Sequence, residues 1–193
     1  MCASTPLYSR LEPAREEIRV LGIDTTEPQI VCRLAKVALR DNPAFAALSY
    51  TWGDASQRET ILVDGCSVSV TKNLARAIRS VCYHWSQGDK PHQPRRLWAD
   101  AVCINQADVK EKEHQIPLMR KVYTTASEVF VWLGSSPDNP LEAFAAIRSV
   151  AAAEATSKAN ASELHIAISS LFDDEYWSRV WTFQEIVLGK TVM

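Results

Sequence analysis

The fold is decided by residues 45–50, Phe45-Ala46-Ala47-Leu48-Ser49-Tyr50, which lead directly to Trp52-Gly53-Asp54. A near-continuous apolar run of this length is typical of a strand covered on both faces, as in a parallel sheet. Two further runs of the same kind occupy 96–103 and 128–133. Helical patterns separate the three runs, so we expect them to form adjacent, parallel strands.

Helical patterns follow each of these runs. Thr71 is placed to cap a helix that continues through Trp85. Asp108 and Glu111 form a capping-box pattern for a second helix, which Pro117 should kink and whose apolar face starts at Ile116. Further helices are predicted after the third strand, over 139–155, 164–171 and 174–188.

The remaining strands are additions to this core. Residues 18–23 and 29–39 are β-rich, with a turn at Thr26-Glu27-Pro28. The segments 60–63 and 67–70 flank Asp64-Gly65 and predict a hairpin outside the three central strands. The sequence therefore predicts an α/β three-layer sandwich with a central, mainly parallel sheet, an added β-hairpin and inserted helices.

Composition excludes several classes of function. The chain has 193 residues, 21 Lys and Arg, 23 Asp and Glu, and a formal net charge of −2. We expect a single domain over 1–193 with a core at about 18–190. The charge balance argues against a nucleic-acid partner. Without a bilayer-length apolar segment or a secretory signal in residues 1–10, we expect no membrane partner and a cytoplasmic location.

Cysteine and histidine spacing argues against a metal site and a disulfide framework. The five cysteines include no Cys-x-x-Cys pair, and the four histidines show no metal-ligand spacing. We therefore predict reduced cysteines, most of them in the core, and no metal.

Glycine-rich phosphate loops and hydrolase motifs are absent from the sequence. The remaining candidate functional residues are carboxylates that lie near tryptophans in the sequence. Glu185 lies at the edge of a predicted helix face that carries Trp177 and Trp181. Partial desolvation there would strengthen its interaction with a developing positive charge. The alternative is that the tryptophans are core residues and that Glu185 pairs with Arg179 or Lys190 at the surface.

Other polar residues at the predicted strand ends have two interpretations each. Asp100 could be satisfied by backbone N–H groups, and Asn105-Gln106 could form a turn. Trp52 and Trp98 could be packing anchors. Cys103 with His114 could be a nucleophile and its base, although a thiol within an apolar strand favours a buried structural role.

Three blocks resemble the signature of the fungal heterokaryon-incompatibility domain. They are Ala47-Leu48-Ser49-Tyr50-Thr51-Trp52-Gly53-Asp54, then Leu97-Trp98-Ala99-Asp100-Ala101-Val102-Cys103-Ile104-Asn105-Gln106, and Tyr176-Trp177-Ser178-Arg179-Val180-Trp181-Thr182-Phe183-Gln184-Glu185. The resemblance covers roughly 18–190. It implies a domain that triggers programmed cell death, either as a short stand-alone member or as the amino-terminal piece of a longer protein.

That family in turn resembles the Toll/interleukin-receptor (TIR) fold, which is of the flavodoxin type. Trp181-Thr182-Phe183-Gln184-Glu185-Ile186 is similar to the Trp-Cys-x-x-Glu-Leu segment in which the NAD-cleaving members of that superfamily carry their catalytic glutamate. The resemblance implies cleavage of NAD, as substrate rather than cofactor, at the nicotinamide–ribose bond. Glu185 would be the catalytic residue.

The remaining site residues are implied more weakly. Trp181 and either Trp52 or Trp98 would stack on the bases, and Asp100, Asn105 or Arg179 would hold ribose hydroxyls or phosphates. Gly53, Asp54 and Gln106 complete the loops at the strand ends. The alternative function is a non-enzymatic death-signalling module that associates with itself or with a protein partner.

Overall fold

The structure, a computed structural model, describes residues 7–87, 95–134, 175–178 and 182–193. Within them, seven strands form one sheet in the order β5-β4-β2-β1-β6-β3-β7. The strands are β1 Glu17–Thr25, β2 Val31–Ala38, β3 Ala46–Tyr50, β4 Arg58–Val63, β5 Cys66–Thr71, β6 Arg96–Trp98 and β7 Glu128–Trp132. The helices predicted over 139–155 and 164–171 lie outside the described residues.

The three central strands are adjacent and parallel, as the sequence predicts. β3 lies between β6 and β7 and runs parallel to both, with Ala47 in register with Trp98 on one side and Val129 on the other. All five residues of β3 are buried. This matches the near-continuous apolar pattern from which the strand was predicted.

The second central strand is shorter than predicted, so the prediction of a strand over 96–103 is wrong beyond Trp98. The helix α2, Asp100–Cys103, replaces its second half. The N–H of Cys103 donates to the carbonyl of Ala99 at 2.8 Å, and Cys103 stays fully buried. A buried helical turn and a buried strand both read as an apolar run, because periodicity alone does not separate them over so few residues.

The other half of the sheet is built from two antiparallel hairpins. β1 pairs with β2, β4 pairs with β5, and β2 joins β4 in parallel. Asp64 and Gly65 connect β4 to β5 with φ of 50° and 74°, the positive values that a two-residue type I′ turn requires. The predicted hairpin is therefore confirmed. It lies at one edge of the sheet, whereas the three parallel strands β6, β3 and β7 lie at the other.

Helices cover both faces of the central strands. On one face, Phe130 of β7 meets Trp85 of the helix α1, Lys72–Gln87, with ring centroids 5.9 Å apart. On the other, Trp98 of β6 meets Tyr123 of the helix α3, Val109–Thr125, at 5.7 Å. Phe130 and Trp98 are in register with consecutive residues of β3, whose side chains point to opposite faces. The three-layer α/β class is thereby confirmed.

The α3 helix begins as predicted and presents most of its predicted apolar face to the core, with one exception. Asp108 accepts a hydrogen bond from the N–H of Glu111 at 3.1 Å. Glu111 does not complete the capping box, because its carboxylate binds the buried guanidinium of Arg19. Ile116 is 45% exposed, which makes its predicted core position wrong, whereas the neighbouring Gln115 is buried and donates to a backbone carbonyl of β1.

The carboxyl-terminal residues return to the sheet. The single helix predicted over 174–188 is described as a 3-10 helix at Glu175–Ser178 and a helix α4 at Thr182–Val187. Beyond α4, the N–H of Val129 in β7 donates to the carbonyl of Thr191 at 2.8 Å, and Val192 forms a parallel bridge with Val129. The end of α4 is thus anchored beside a central strand.

The cysteine prediction is correct at three positions and wrong at one. Cys32, Cys82 and Cys103 are free and buried. Cys66, the first residue of β5, is disulfide-bonded. Cysteine spacing in sequence did not reveal this bond, because pairing depends on spatial proximity. Among the described helices, none is long and apolar enough to cross a membrane.

Candidate carboxylate site at the central strands

The α4 helix places Glu185 against β3, the middle one of the three parallel strands β6, β3 and β7. The Glu185 side chain is only 2% exposed, and Ser49 of β3 donates a short hydrogen bond to its Oε2. The hydroxyl oxygens of Ser49 and Tyr176 lie 2.5 Å apart, and both of these residues are fully buried. Ser49 and Tyr176 were not among the predicted site residues, although a serine in an otherwise apolar strand was a visible signal.

The three side chains form one buried polar chain. Because the hydroxyl of Ser49 donates its hydrogen bond to Glu185, its oxygen can accept a hydrogen bond from the hydroxyl of Tyr176. Hydrogen bonds to a carboxylate are stronger than those between neutral groups, and a low-dielectric interior strengthens them further. The contact holds Glu185 in one position relative to β3.

The alternative interpretation that Glu185 lies at the surface is wrong. Glu185 is buried, and Lys190 donates to the carbonyl of Thr125 at 3.2 Å. Arg179 and Trp181 lie outside the described residues. Trp177 is 38% exposed and meets Tyr176 edge-on at 5.2 Å, so it does not form the buried face predicted for it.

A second group of predicted residues meets where the central strands end. The indole Nε1 of Trp52 donates to Oδ2 of Asp100 at 3.0 Å, joining the segment after β3 to the start of α2. Oδ1 of Asp100 accepts from the N–H of Ala101 at 2.7 Å. Burial raises the pKa of Tyr50 well above its usual value, and the charge and hydrogen bonding of Asp100 raise it further.

Gly53 and Asn73 determine the path of the chain after Trp52. Gly53 has φ of +70°, a backbone conformation that residues with a side chain rarely adopt. A Cβ added there would also lie only 2.9 Å from the Cβ of Asn73, so both the backbone and the available space require glycine. Asn73 donates to the carbonyl of Thr51 at 2.7 Å and accepts from the indole of Trp132 at 2.8 Å. Asn73 was not predicted as a site residue.

Asp54 is exposed and acts locally in a turn. Its Oδ1 accepts from the N–H of Ser56 at 2.8 Å, and hydrogen bonds from the side chain and backbone of Ser56 hold the pKa of Asp54 below its usual value. A local turn accounts for this aspartate without a ligand.

Trp98, Asn105 and Gln106 also have structural partners. Trp98 is 1% exposed, which leaves its ring no accessible face for stacking. Asn105 accepts from the N–H of Ala107 at 3.2 Å, and Gln106 donates to the carbonyl of Asp100 at 2.9 Å. These two residues form the turn between α2 and α3.

The arrangement of Cys103 and His114 does not favour nucleophilic catalysis. Burial raises the pKa of the Cys103 thiol to about 12, whereas an activated cysteine has a lowered pKa. His114 is exposed on α3. No group of three or more His, Cys, Asp or Glu within the described residues is arranged to hold a metal ion.

The structure thus brings two sets of side chains to the end of one strand. Ser49 holds Glu185, and Trp52, three residues further along the chain, contacts Asp100. Three residues span at most about 11 Å between Cα atoms, so the two contacts start from neighbouring positions of the chain. This position, at the carboxyl ends of parallel strands, is where open α/β sheets bind their ligands.

Fold and site together define an α/β domain with a buried carboxylate behind its central parallel strand. Residues 45–185 match the family model described as "Heterokaryon incompatibility protein (HET)", and the chain belongs to this family. A Neurospora crassa protein, "Heterokaryon incompatibility protein 6, OR allele", is 34% identical over 121 residues, which are 57% of this chain and 17% of that protein. The chain therefore spans about a sixth of this relative. No solved structure matches this chain.

Proposed function

We propose that this domain acts in heterokaryon incompatibility and cell death, and that it does so by cleaving NAD at the nicotinamide–ribose bond. Family membership and the name of the Neurospora relative support the role in incompatibility. The resemblance of the segment around Glu185 to the glutamate segment of the NAD-cleaving TIR members supports the reaction.

The reaction needs a fixed negative charge. When the bond between ribose C1′ and the pyridinium nitrogen breaks, its electron pair leaves with neutral nicotinamide and positive charge develops on the ribose. Water then adds to C1′ and releases a proton. Glycoside hydrolysis passes through a similar oxocarbenium-like state, which carboxylates stabilise.

The observation that carries the proposal is the hydrogen bond from Ser49 to Glu185 inside the protein. It positions a carboxylate within the core, where its interaction with a developing cation is far stronger than in water. Because Glu185 is only 2% exposed, substrate access requires a rearrangement around it. We assign this step to self-association, since closure or assembly often completes an active site.

The same burial favours a second candidate function, a non-enzymatic signalling module. In that case the Tyr176–Ser49–Glu185 chain is a structural element of the core. Function then resides on exposed surfaces of the domain, which interact with a second copy or with a protein partner.

Nicotinamide release from NAD separates the two functions. The parent protein, Glu185→Gln and the control Glu113→Gln, which changes an exposed carboxylate on α3, are compared at matched concentrations. We expect turnover by the parent and by Glu113→Gln, rising per molecule with protein concentration. We expect a loss of about 10²-fold or more in Glu185→Gln, the effect of removing one preorganised electrostatic group.

Melting curves of the three proteins show whether Glu185→Gln remains folded. Equal, substantial turnover by the parent and Glu185→Gln would remove Glu185 from the mechanism. No release by the parent at any protein concentration would favour the signalling module.

A further inference from the structure

The side chain of Trp52 is exposed to solvent and is also held in place by a hydrogen bond. Its side chain is 46% exposed, yet its indole N–H is bound to Asp100 at 3.0 Å. An exposed tryptophan usually loses rotamer freedom only when something holds it. Here the half-buried carboxylate of Asp100, at the start of α2, does so.

Both carboxylate oxygens of Asp100 accept hydrogen bonds from the protein itself. One of its oxygens accepts from Trp52 and the other from the N–H of Ala101. The phenol of Tyr50 also interacts with this carboxylate, which contributes to the raised pKa of Tyr50. These interactions fix the position of the Asp100 carboxylate beside Trp52.

The backbone on both sides of Trp52 is held as well. Asn73 binds the carbonyl of Thr51, which precedes Trp52, and packs against Gly53, which follows it. The indole of Trp132 in turn binds Asn73. Trp52 is therefore positioned through both its side chain and its backbone before any ligand arrives, which lowers the entropy cost of binding.

We propose that Trp52 is a preorganised stacking surface for a planar heterocycle of a nucleotide, and that Asp100 is its positioning residue. Aromatic side chains bind bases through their faces, which every base offers. Trp52 lies at the carboxyl ends of the parallel strands, three residues beyond Ser49, which is the hydrogen-bond partner of Glu185. The choice of NAD as ligand rests on the proposed function, whereas the stacking surface itself does not.

The test measures binding of ligands with and without a planar ring. The Glu185→Gln variant is used so that NAD is not cleaved during the measurement. It is titrated calorimetrically with NAD, AMP, nicotinamide mononucleotide and ribose 5-phosphate. The same titrations are repeated after adding Trp52→Ala, Trp52→Phe or the control Tyr83→Ala. Tyr83 is 69% exposed on α1, away from the strand ends.

We expect Trp52→Ala to lower the affinity for NAD and for at least one mononucleotide by about 5- to 100-fold, the effect of losing one stacked base. Ribose 5-phosphate should bind equally to all variants, because it has no planar heterocycle to stack on Trp52. Trp52→Phe should retain most of the affinity, and Tyr83→Ala all of it. A general loss of structure would instead weaken every ligand together.

Asp100→Asn tests the positioning role. Asparagine offers one acceptor oxygen where aspartate offers two, so the bonds to Trp52 and Ala101 cannot both persist. We expect NAD affinity to fall about 3- to 10-fold and the near-UV circular dichroism of Trp52 to weaken. In protein that retains Glu185, KM should rise with kcat changed less than about 2-fold, the result of losing uniform binding.

The outcomes separate this inference from the proposed function. Ring-dependent binding that needs Trp52, in a parent protein that releases no nicotinamide, would support the inference and overturn NAD cleavage. Nicotinamide release with unchanged affinity in Trp52→Ala would overturn the inference and leave cleavage standing. Failure of NAD and of both mononucleotides to bind would overturn the stacking surface.

Discussion

Ser49 in β3 donates a hydrogen bond to Glu185 in α4 across 136 residues of sequence. The exposed fractions of their side chains are 0% and 2%. A buried carboxylate without a hydrogen-bonding partner is costly, because it loses its hydration without compensation. The contact also joins the first and the last of the three sequence blocks, so both blocks contribute to one site.

Ser49→Ala removes this contact and leaves Glu185 and Tyr176 without a shared partner. We expect the free energy of unfolding to fall by about 1–3 kcal/mol, because two buried hydrogen bonds are lost. If NAD is cleaved, kcat should fall about 10-fold or more, since the carboxylate is no longer held in place. Chemical denaturation and nicotinamide release measure the two effects.

Ser67→Ala is the matched control, because Ser67 is exposed on β5 at the far end of the sheet. We expect it to change stability by no more than about 0.5 kcal/mol. A Ser49→Ala protein with the stability of the Ser67→Ala protein would show that Ser49 does not hold Glu185 in solution.

The central strands could be predicted because burial on both faces leaves a continuous apolar run in the sequence. The hairpin could be predicted because Asp64-Gly65 is a local signal for one turn type. Both features depend on residues close together in the chain. The length of β6 could not be predicted, because the apolar run through Cys103 fits a strand and a buried helical turn equally well.

The candidate site was only partly predictable for a different reason. Glu185 was found through a resemblance and through its neighbouring tryptophans, but its partner Ser49 lies far away in sequence. Spacing carries no information about such a contact. The roles of Asp100 and Asn73 depend on where three strand ends meet, which only the folded structure reveals.

Trp98 should contribute mainly to stability. It is 1% exposed and packs edge-on against Tyr123. We expect Trp98→Ala to lower the free energy of unfolding by about 3–5 kcal/mol through the cavity it leaves. Since domains are stable by about 5–15 kcal/mol in total, the soluble yield should also fall.

Trp52→Ala is the control for Trp98→Ala, because it removes an exposed tryptophan instead of a buried one. Trp52 is 46% exposed and its indole makes one hydrogen bond to Asp100, so its loss should cost about 1 kcal/mol. Urea denaturation of both variants measures the difference. Equal midpoints for Trp98→Ala and the parent would show that the ring of Trp98 is not part of the core.

Cys103 should be unreactive in the folded protein. Its thiol is fully buried, donates weakly to the carbonyl of Leu97 at 3.8 Å, and has a pKa raised by burial to about 12. At pH 8 a pKa of about 12 leaves roughly one thiol in ten thousand as the reactive thiolate.

We therefore expect iodoacetamide to label Cys103 in the native protein only through unfolding, and rapidly in urea. Peptide mass spectrometry of native and unfolded samples reads this out, with Cys82, 9% exposed and with its pKa raised to about 11, as the internal reference. Rapid native labelling of Cys103 that abolishes nicotinamide release would restore the cysteine as a candidate nucleophile and count against Glu185.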